Sequence, residues 1–125
     1  MSSSLVKDGM IGDDETDHES ATKDRLYRFG GISRLYGLPA LELFGKSHIA
    51  IIGIGGVGSW AAEALARSGI GEISLFDLDD VCVSNVNRQV HALNSSVGQM
   101  KIDAMALRLQ DINPRIKVNA VHTFI

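Results

Sequence analysis

Ile49-Ala-Ile-Ile-Gly-Ile-Gly-Gly-Val-Gly58, continued by Ser59-Trp-Ala-Ala-Glu-Ala-Leu-Ala-Arg67 and then by Glu72-Ile-Ser-Leu-Phe-Asp-Leu-Asp79, is the stretch that decides the fold. An apolar run breaks into Gly53-x-Gly55-x-x-Gly58 and opens into a helix-like segment. A second apolar run follows and closes on Asp77. Strand, glycine turn, helix and acid in that order describe a nucleotide-binding βαβ unit. Such a unit sets the free N–H groups of a helix N-terminus against an anionic ligand.

Working outward, residues 48–53 read as a first strand, the continuous apolar run expected when both faces of a sheet are covered. Residues 59–68 read as a helix, ended by Gly69 and Gly71. Residues 72–77 form the second strand, and residues 79–93 a polar loop. Ser96-Val-Gly-Gln99 has the spacing of a capping box, and Ile102, Met105, Leu109 and Ile112 recur at helical spacing after it. Asn113-Pro114 stops that helix, and residues 116–124 give a third strand. Upstream, residues 26–44 read as two short helices joined by glycine turns at Gly30-Gly31 and Gly37-Leu-Pro39. The expected class is α/β: a Rossmann-like βαβαβ half of a doubly wound sheet, preceded by a short helical arm. A complete fold of this type adds strands on the far side of strand one, so the domain reads as incomplete.

The chain has 125 residues, 45% of them hydrophobic, enough for one core. Its single cysteine, Cys82, excludes an internal disulfide and a cysteine metal cluster. No apolar run approaches the ~20 residues of a membrane span. Residues 1–24 carry a net charge of −5 and the remainder +2. Rich in Ser and Gly and poor in aromatics, the opening reads as a disordered acidic tail. It lacks an apolar signal core and is too acidic for a mitochondrial transit peptide, which fits a cytoplasmic protein. The expected division is a tail over 1–24 and a nucleotide-binding part over 25–125.

The candidate site residues follow from the chemistry of a phosphate ligand. Gly53 allows the tight turn, Gly55 and Gly56 let backbone approach a phosphate, and Gly58 lets the helix pack on the strand. Asp77 ends strand two, where a carboxylate accepts hydrogen bonds from ribose hydroxyls; turn capping is the alternative for Asp77 and Asp79. These residues do not separate NAD from ATP. Asn85, Arg88 and Lys101 do, because two cations and an amide beyond the glycine turn suit a polyphosphate. Taken singly, Arg88 and Lys101 read as solvated surface charges. Cys82 reads as a small packing residue, His91 as structural, and Trp60 as core or dimer packing.

In combination, Gly53-Ile-Gly-Gly-Val-Gly58, Asp77-Leu-Asp79, Ser84-Asn-Val-Asn-Arg-Gln89 and Lys101 resemble the ubiquitin-activating-enzyme-like, ThiF-type adenylyltransferases. Arg28-Phe-Gly-Gly-Ile-Ser-Arg-Leu-Tyr-Gly37, Asp79-Asp-Val-Cys82 and Asn87-Arg-Gln-Val-His-Ala-Leu93 are similar to the branch that dehydrates threonylcarbamoyladenosine in tRNA. The resemblance covers residues 26–125. It implies that ATP adenylates a carboxylate. Gly56 would pack on the α-phosphate region, Asp77 would hold the ribose, and Asn85 and Arg88 would contact phosphates. Lys101 would neutralise charge in the transition state, which makes Arg88 and Lys101 the catalytic pair. It further implies Mg²⁺ held by an aspartate after a fourth strand, beyond Ile125, and no metal ligand within the chain. Implied partners are tRNA carrying threonylcarbamoyladenosine, a second copy in a homodimer, and a sulfur-carrier or cysteine-desulfurase-type protein. An arginine of the N-terminal arm would enter the neighbouring subunit's site; Gly31 stands at the matching position, between Arg28 and Arg34, with Arg34 chosen. The chain alone is expected to show no turnover. The alternatives are adenylation of the C-terminus of a ubiquitin-like or sulfur-carrier protein, an NAD-binding oxidoreductase domain, and a non-catalytic binding module.

Overall fold

The computed structural model describes residues 3–124, with side chains described from residue 16 onward. In chain order it contains α1 (Ser3–Tyr36), α2 (Leu38–Lys46), β1 (His48–Ile52), α3 (Gly58–Arg67), β2 (Glu72–Asp77), a 3-10 turn (Val83–Asn85), α4 (Lys101–Ile112) and β3 (Lys117–His122). The three strands form one parallel sheet in the order β1-β2-β3, with Ile51 opposite Leu75 and Leu75 opposite Ala120. α3 and α4 are the two crossover connections. This is the expected α/β class and βαβαβ order.

The core lies between the sheet and these two helices. Ile51, Ile73 and Leu75 of the strands meet Ala62 and Ala66 of α3 and Ile102, Met105 and Leu109 of α4. The opposite face is open: His48, Ala50 and Ile52 alternate outward along β1, and Ile52 is 62% exposed. The apolar run of β1 therefore is not covered on both faces within this chain, contrary to the reading of that run. Its polar neighbours satisfy one another across the strands: His48 Nε2 lies 2.7 Å from Ser74 Oγ, and Asn119 donates to Ser74 and Glu72.

Three element boundaries depart from expectation. The acidic opening, read as a disordered tail, is helical from Ser3; residues 1 and 2 lie outside the described residues. Extending an anchored helix costs only propagation, because the nucleus already exists in the packed segment. Gly30-Gly31 does not break α1. Phe29 and Gly30 are buried, and that packing outweighs the roughly 1 kcal/mol helix penalty of each glycine. The break comes at Gly37, with φ +94°, and Pro39 then stands in the first turn of α2. α4 starts at Lys101 rather than at Ser96, without a side-chain cap. Ser96 Oγ instead donates to His91 O at 2.6 Å and accepts from Leu93 N–H, closing a turn.

The arm is fastened at the base of the sheet. Arg25 Nη2 donates to Leu41 O and Gly69 O, at 2.8 and 2.7 Å, tying α1 to α2 and to the turn before β2. Arg28 pairs with Asp24 and donates to Ile112 O at the end of α4.

Candidate functional site

The glycine turn follows directly from β1. Gly53 N–H continues the sheet by donating to Phe76 O, and Gly53 itself adopts φ +86°. A Cβ at Gly58 would land inside the Gly53 carbonyl oxygen, so only glycine lets α3 begin this close to the strand. The two peptides that meet at Ile54 are each held by a side chain. Ile54 N–H donates to Asp77 Oδ2 at 2.7 Å, and His91 Nε2 meets Ile54 O at 2.9 Å. Ser59 N–H then donates to Gly55 O. The N–H groups of Gly55, Gly56, Val57 and Gly58 have no acceptor among the described residues. Unpaired amides at a helix start, with the helix dipole behind them, form a ready anion cradle.

Asp77 is buried and braces the turn. Its Oδ2 serves Ile54 and its Oδ1 accepts from Asp79 N–H at 2.7 Å. Burial raises the carboxyl pKa, but hydrogen bonds from the Ile54, Asp79 and Leu78 backbone and the charge of Lys101 outweigh it and hold Asp77 below its ordinary value. Each oxygen keeps a second lone pair, so this bracing leaves room to accept a hydroxyl. Asp79, two residues on, is exposed.

The loop after β2 runs back over the turn. Val90 N–H donates to Ser59 Oγ, His91 reaches Ile54 O, and Trp60 Nε1 donates to Arg88 O at 2.9 Å. These bonds set Arg88 beside the cradle, where its Cγ and Cδ would stand 3.8 Å from a Cβ on Gly56. The guanidinium is exposed and touches Ser84 O and Asn87 Oδ1. Asn85 is buried, and its Oδ1 accepts from Cys82 N–H at 2.9 Å, which commits the oxygen to the turn and leaves the amide NH₂ as donor.

Lys101 arrives by a different route. Lys101 N–H donates to Asp79 O, Val81 N–H to Gln99 O and Gly98 N–H to Val81 O, so the start of α4 is pinned to the exit of β2. The residue is 8% exposed, and its side chain has no ion pair or hydrogen bond among the described residues. It is not a solvated surface charge. The structure thus brings Gly53, Gly55, Gly56, Gly58, Asp77, Asp79, Asn85, Arg88 and Lys101 to the C-terminal edge of the strands, the end at which open α/β sheets bind ligands.

One side reading is corrected and a second is narrowed. Cys82 is exposed at the start of the 3-10 turn rather than packed. Trp60 is 53% exposed and held by its indole N–H, which overturns the core half of its reading; packing against a second copy stays an expectation. His91 is structural, as read, with a part in the turn that the sequence did not disclose. No group of three or more His, Cys, Asp or Glu side chains placed to hold a metal ion occurs among the described residues. No helix among them is long and apolar enough to cross a membrane.

Sheet, glycine cradle and flanking cations make an α/β unit of the nucleotide-binding type. The ThiF family profile matches residues 31–125, and the chain belongs to that family. It is 60% identical over 98 residues to tRNA threonylcarbamoyladenosine dehydratase of Escherichia coli K12, covering 78% of this chain and 37% of the relative. It is 34% identical over 94 residues to the molybdopterin-synthase adenylyltransferase of the same organism, covering 75% and 38%. The crystal structure of the E. coli dehydratase in complex with ATP superposes with a TM-score of 0.79 at 59% identity, covering 80% of this chain and 41% of that one. The chain thus spans about two fifths of the length of the relatives it matches.

Proposed function

We propose that this chain carries the ATP-binding part of an enzyme that dehydrates threonylcarbamoyladenosine in tRNA. The observation that carries the reading is the run of four unpaired amides, Gly55 to Gly58, flanked by the exposed Arg88 guanidinium and by a Lys101 ammonium without a described partner. A dinucleotide needs the cradle but has less use for two cations, whereas a triphosphate needs both. The similarity to a dehydratase solved with ATP supports the same ligand.

In the proposed reaction the threonyl carboxylate attacks the α-phosphorus of ATP and diphosphate leaves. The carbamoyl group then closes on the activated carbonyl and AMP leaves, so the net loss from the nucleoside is one water. No protein nucleophile is required, and Cys82 has no step to perform. The residues position and neutralise. The amides of Gly55 and Gly56 receive phosphate oxygens, Asp77 and Asp79 stand where ribose hydroxyls would lie, Asn85 offers its NH₂, and Arg88 and Lys101 offset charge on the phosphates. Residues outside this chain would supply any Mg²⁺ ligands and the acceptor pocket. A homodimer with Arg34 reaching the partner, a sulfur-transfer partner and a cytoplasmic setting belong to the same proposal.

Adenylation of a carrier-protein C-terminus is the second reading, favoured by the likeness to the molybdopterin-synthase enzyme. Exchange of labelled diphosphate into ATP separates them. Exchange stimulated by tRNA bearing threonylcarbamoyladenosine, and not by a sulfur-carrier protein, is the expected outcome. The reverse pattern establishes the second reading, and binding of NAD in place of ATP overturns both.

A further inference from the structure

The segment after β2 contains two buried polar atoms without a partner among the described residues, Gln89 Oε1 and His91 Nδ1. Both side chains face the glycine turn: Gln89 Nε2 would stand 3.8 Å from a Cβ on Gly55, and His91 Nε2 bonds Ile54 O. A buried polar atom left unpaired costs about 1–3 kcal/mol. An apolar residue in place of His91, which is 2% exposed, would avoid that cost. It would also leave Ile54 O, between strand and cradle, without its donor.

The tautomer follows from the geometry. A carbonyl oxygen only accepts, so Nε2 carries the proton and Nδ1 is bare. Asp77 holds the N–H of the Gly53–Ile54 peptide and His91 holds the carbonyl of the next one, Ile54–Gly55, so the two peptides that meet at Ile54 are each fixed by a side chain. The Gly55 N–H lies in the same plane as the Ile54 carbonyl and points opposite to it, so His91 sets its direction, and the Gly56 amide follows from there.

We infer that His91 is a positioning residue for the nucleotide: as the neutral Nε2–H tautomer it fixes the Ile54–Gly55 peptide, next to the Gly53–Ile54 peptide that Asp77 fixes, and so presets the Gly55 N–H that opens the cradle. The inference deepens the ATP-site reading and rests on it. It carries a consequence for acid. A second proton would sit on Nδ1, where no acceptor faces it. The charged groups around the ring are Asp77 at the end of β2, Lys101 at the start of α4, and Arg108 and Asp111 further along α4. Asp77 is engaged with backbone N–H groups and Arg108 with Glu63, while the Lys101 charge repels an imidazolium. Protonation leaves the Nε2–H donor in place but adds a buried charge that Lys101 repels and that no acceptor meets at Nδ1, so the charged ring is driven toward solvent and the clamp opens.

The test compares the wild-type chain with His91→Gln, whose side-chain NH₂ can donate to Ile54 O, and with His91→Leu, which cannot. Labelled ATP binding at pH 8 is expected to be weakened about tenfold in His91→Leu, the worth of one hydrogen bond, and largely restored in His91→Gln. From pH 8 to 5.5 the wild type should lose affinity faster than His91→Gln, a difference that cancels the titration of ATP itself. In the nucleotide-free protein, the amide resonances of Gly55 and Gly56 should move with the His91 imidazole titration seen by ¹⁵N NMR. Equal ATP affinity for His91→Leu and wild type, parallel pH profiles, or glycine resonances blind to the His91 titration would each overturn the inference. If the wild type binds no ATP, the ATP reading fails, and the NMR titration still decides whether the clamp exists.

Discussion

Lys101 concentrates the tension of the site in one side chain. Lys101 is 8% exposed as a residue and its ammonium has no ion pair or hydrogen bond among the described residues, so the charge gives up part of its hydration without a protein partner in return. Nearby Asp77 feels its charge, but both Asp77 oxygens are already bonded to backbone. A phosphate would supply the missing partner. Stability and function should therefore move in opposite directions when the charge is removed. Lys101→Met keeps most of the volume and is expected to melt at or above the wild-type temperature. In the proposed reaction it should lose about 10²–10³-fold in adenylate formation, the scale seen when one charge-stabilising donor is deleted. Arg88 is exposed, so Arg88→Ala should leave the melting temperature unchanged while adenylate formation falls by a similar factor. Wild-type rates in either variant would remove that residue from the phosphate site. A Lys101→Met protein that melts well below wild type would show the ammonium to be structural.

Between elements, the contact that matters most for the geometry of the site is the one between α3 and α4, since each helix carries one part of it. Glu63 of α3, 6% exposed, receives Arg108 of α4 through Nε at 2.6 Å and Nη2 at 3.1 Å, and Arg67 of its own helix at 2.8 Å. Burial raises its pKa, but the hydrogen bonds and charges of Arg108 and Arg67 outweigh that and hold Glu63 below its ordinary value. Glu63→Gln is expected to destabilise by about 1.5–3 kcal/mol, the range for hydrogen bonds to a charged group. Arg67→Ala should cost much less, because the Arg67 side chain is 58% exposed. Urea denaturation of the two variants checks the ranking, and equal losses would refute it. Such inter-helix contacts were illegible in the sequence, whereas the helices that make them were not. The βαβαβ order could be read because Gly53, Gly55 and Gly58, the apolar strands and the Ile102-Met105-Leu109 spacing are local patterns. The start of α4 was misplaced because Ser96 caps a turn and the true start is fixed by a bridge back to residues 79–81. The burial of Lys101 and the role of His91 depend on partners 22 and 37 residues away, Asp79 and Ile54 respectively, and no local pattern discloses them.

For the molecule as a whole, the titratable groups with resolved shifts in the acid and neutral range all point the same way. Glu63, Glu72 and Asp77 sit below their ordinary carboxylate values of 4.5, 4.5 and 3.8, and His91 sits below its ordinary 6.5. For Glu72 the leading cause is the hydrogen bond from Asn119; for His91 it is burial. A group whose pKa is lower in the fold binds fewer protons folded than unfolded, so each makes stability rise with pH. The His91 part is complete above 6.5 and is lost as the pH falls below it toward the folded value. The carboxylate part is complete above 4.5 and is lost as the pH falls through the depressed folded values. Two separate limbs are therefore expected in the urea midpoint: a plateau near pH 8, a first decline below about pH 6.5, and a second, steeper one below about pH 4.5. His91→Gln should erase the first limb and leave the second, while Glu63→Gln should flatten the second and leave the first. Midpoints recorded from pH 8 to 3 on the wild type and both variants distinguish the contributions. A wild-type midpoint that is constant from pH 8 to 5 would mean that His91 is not held neutral in the fold, and it would break the link between acid sensitivity and the glycine turn.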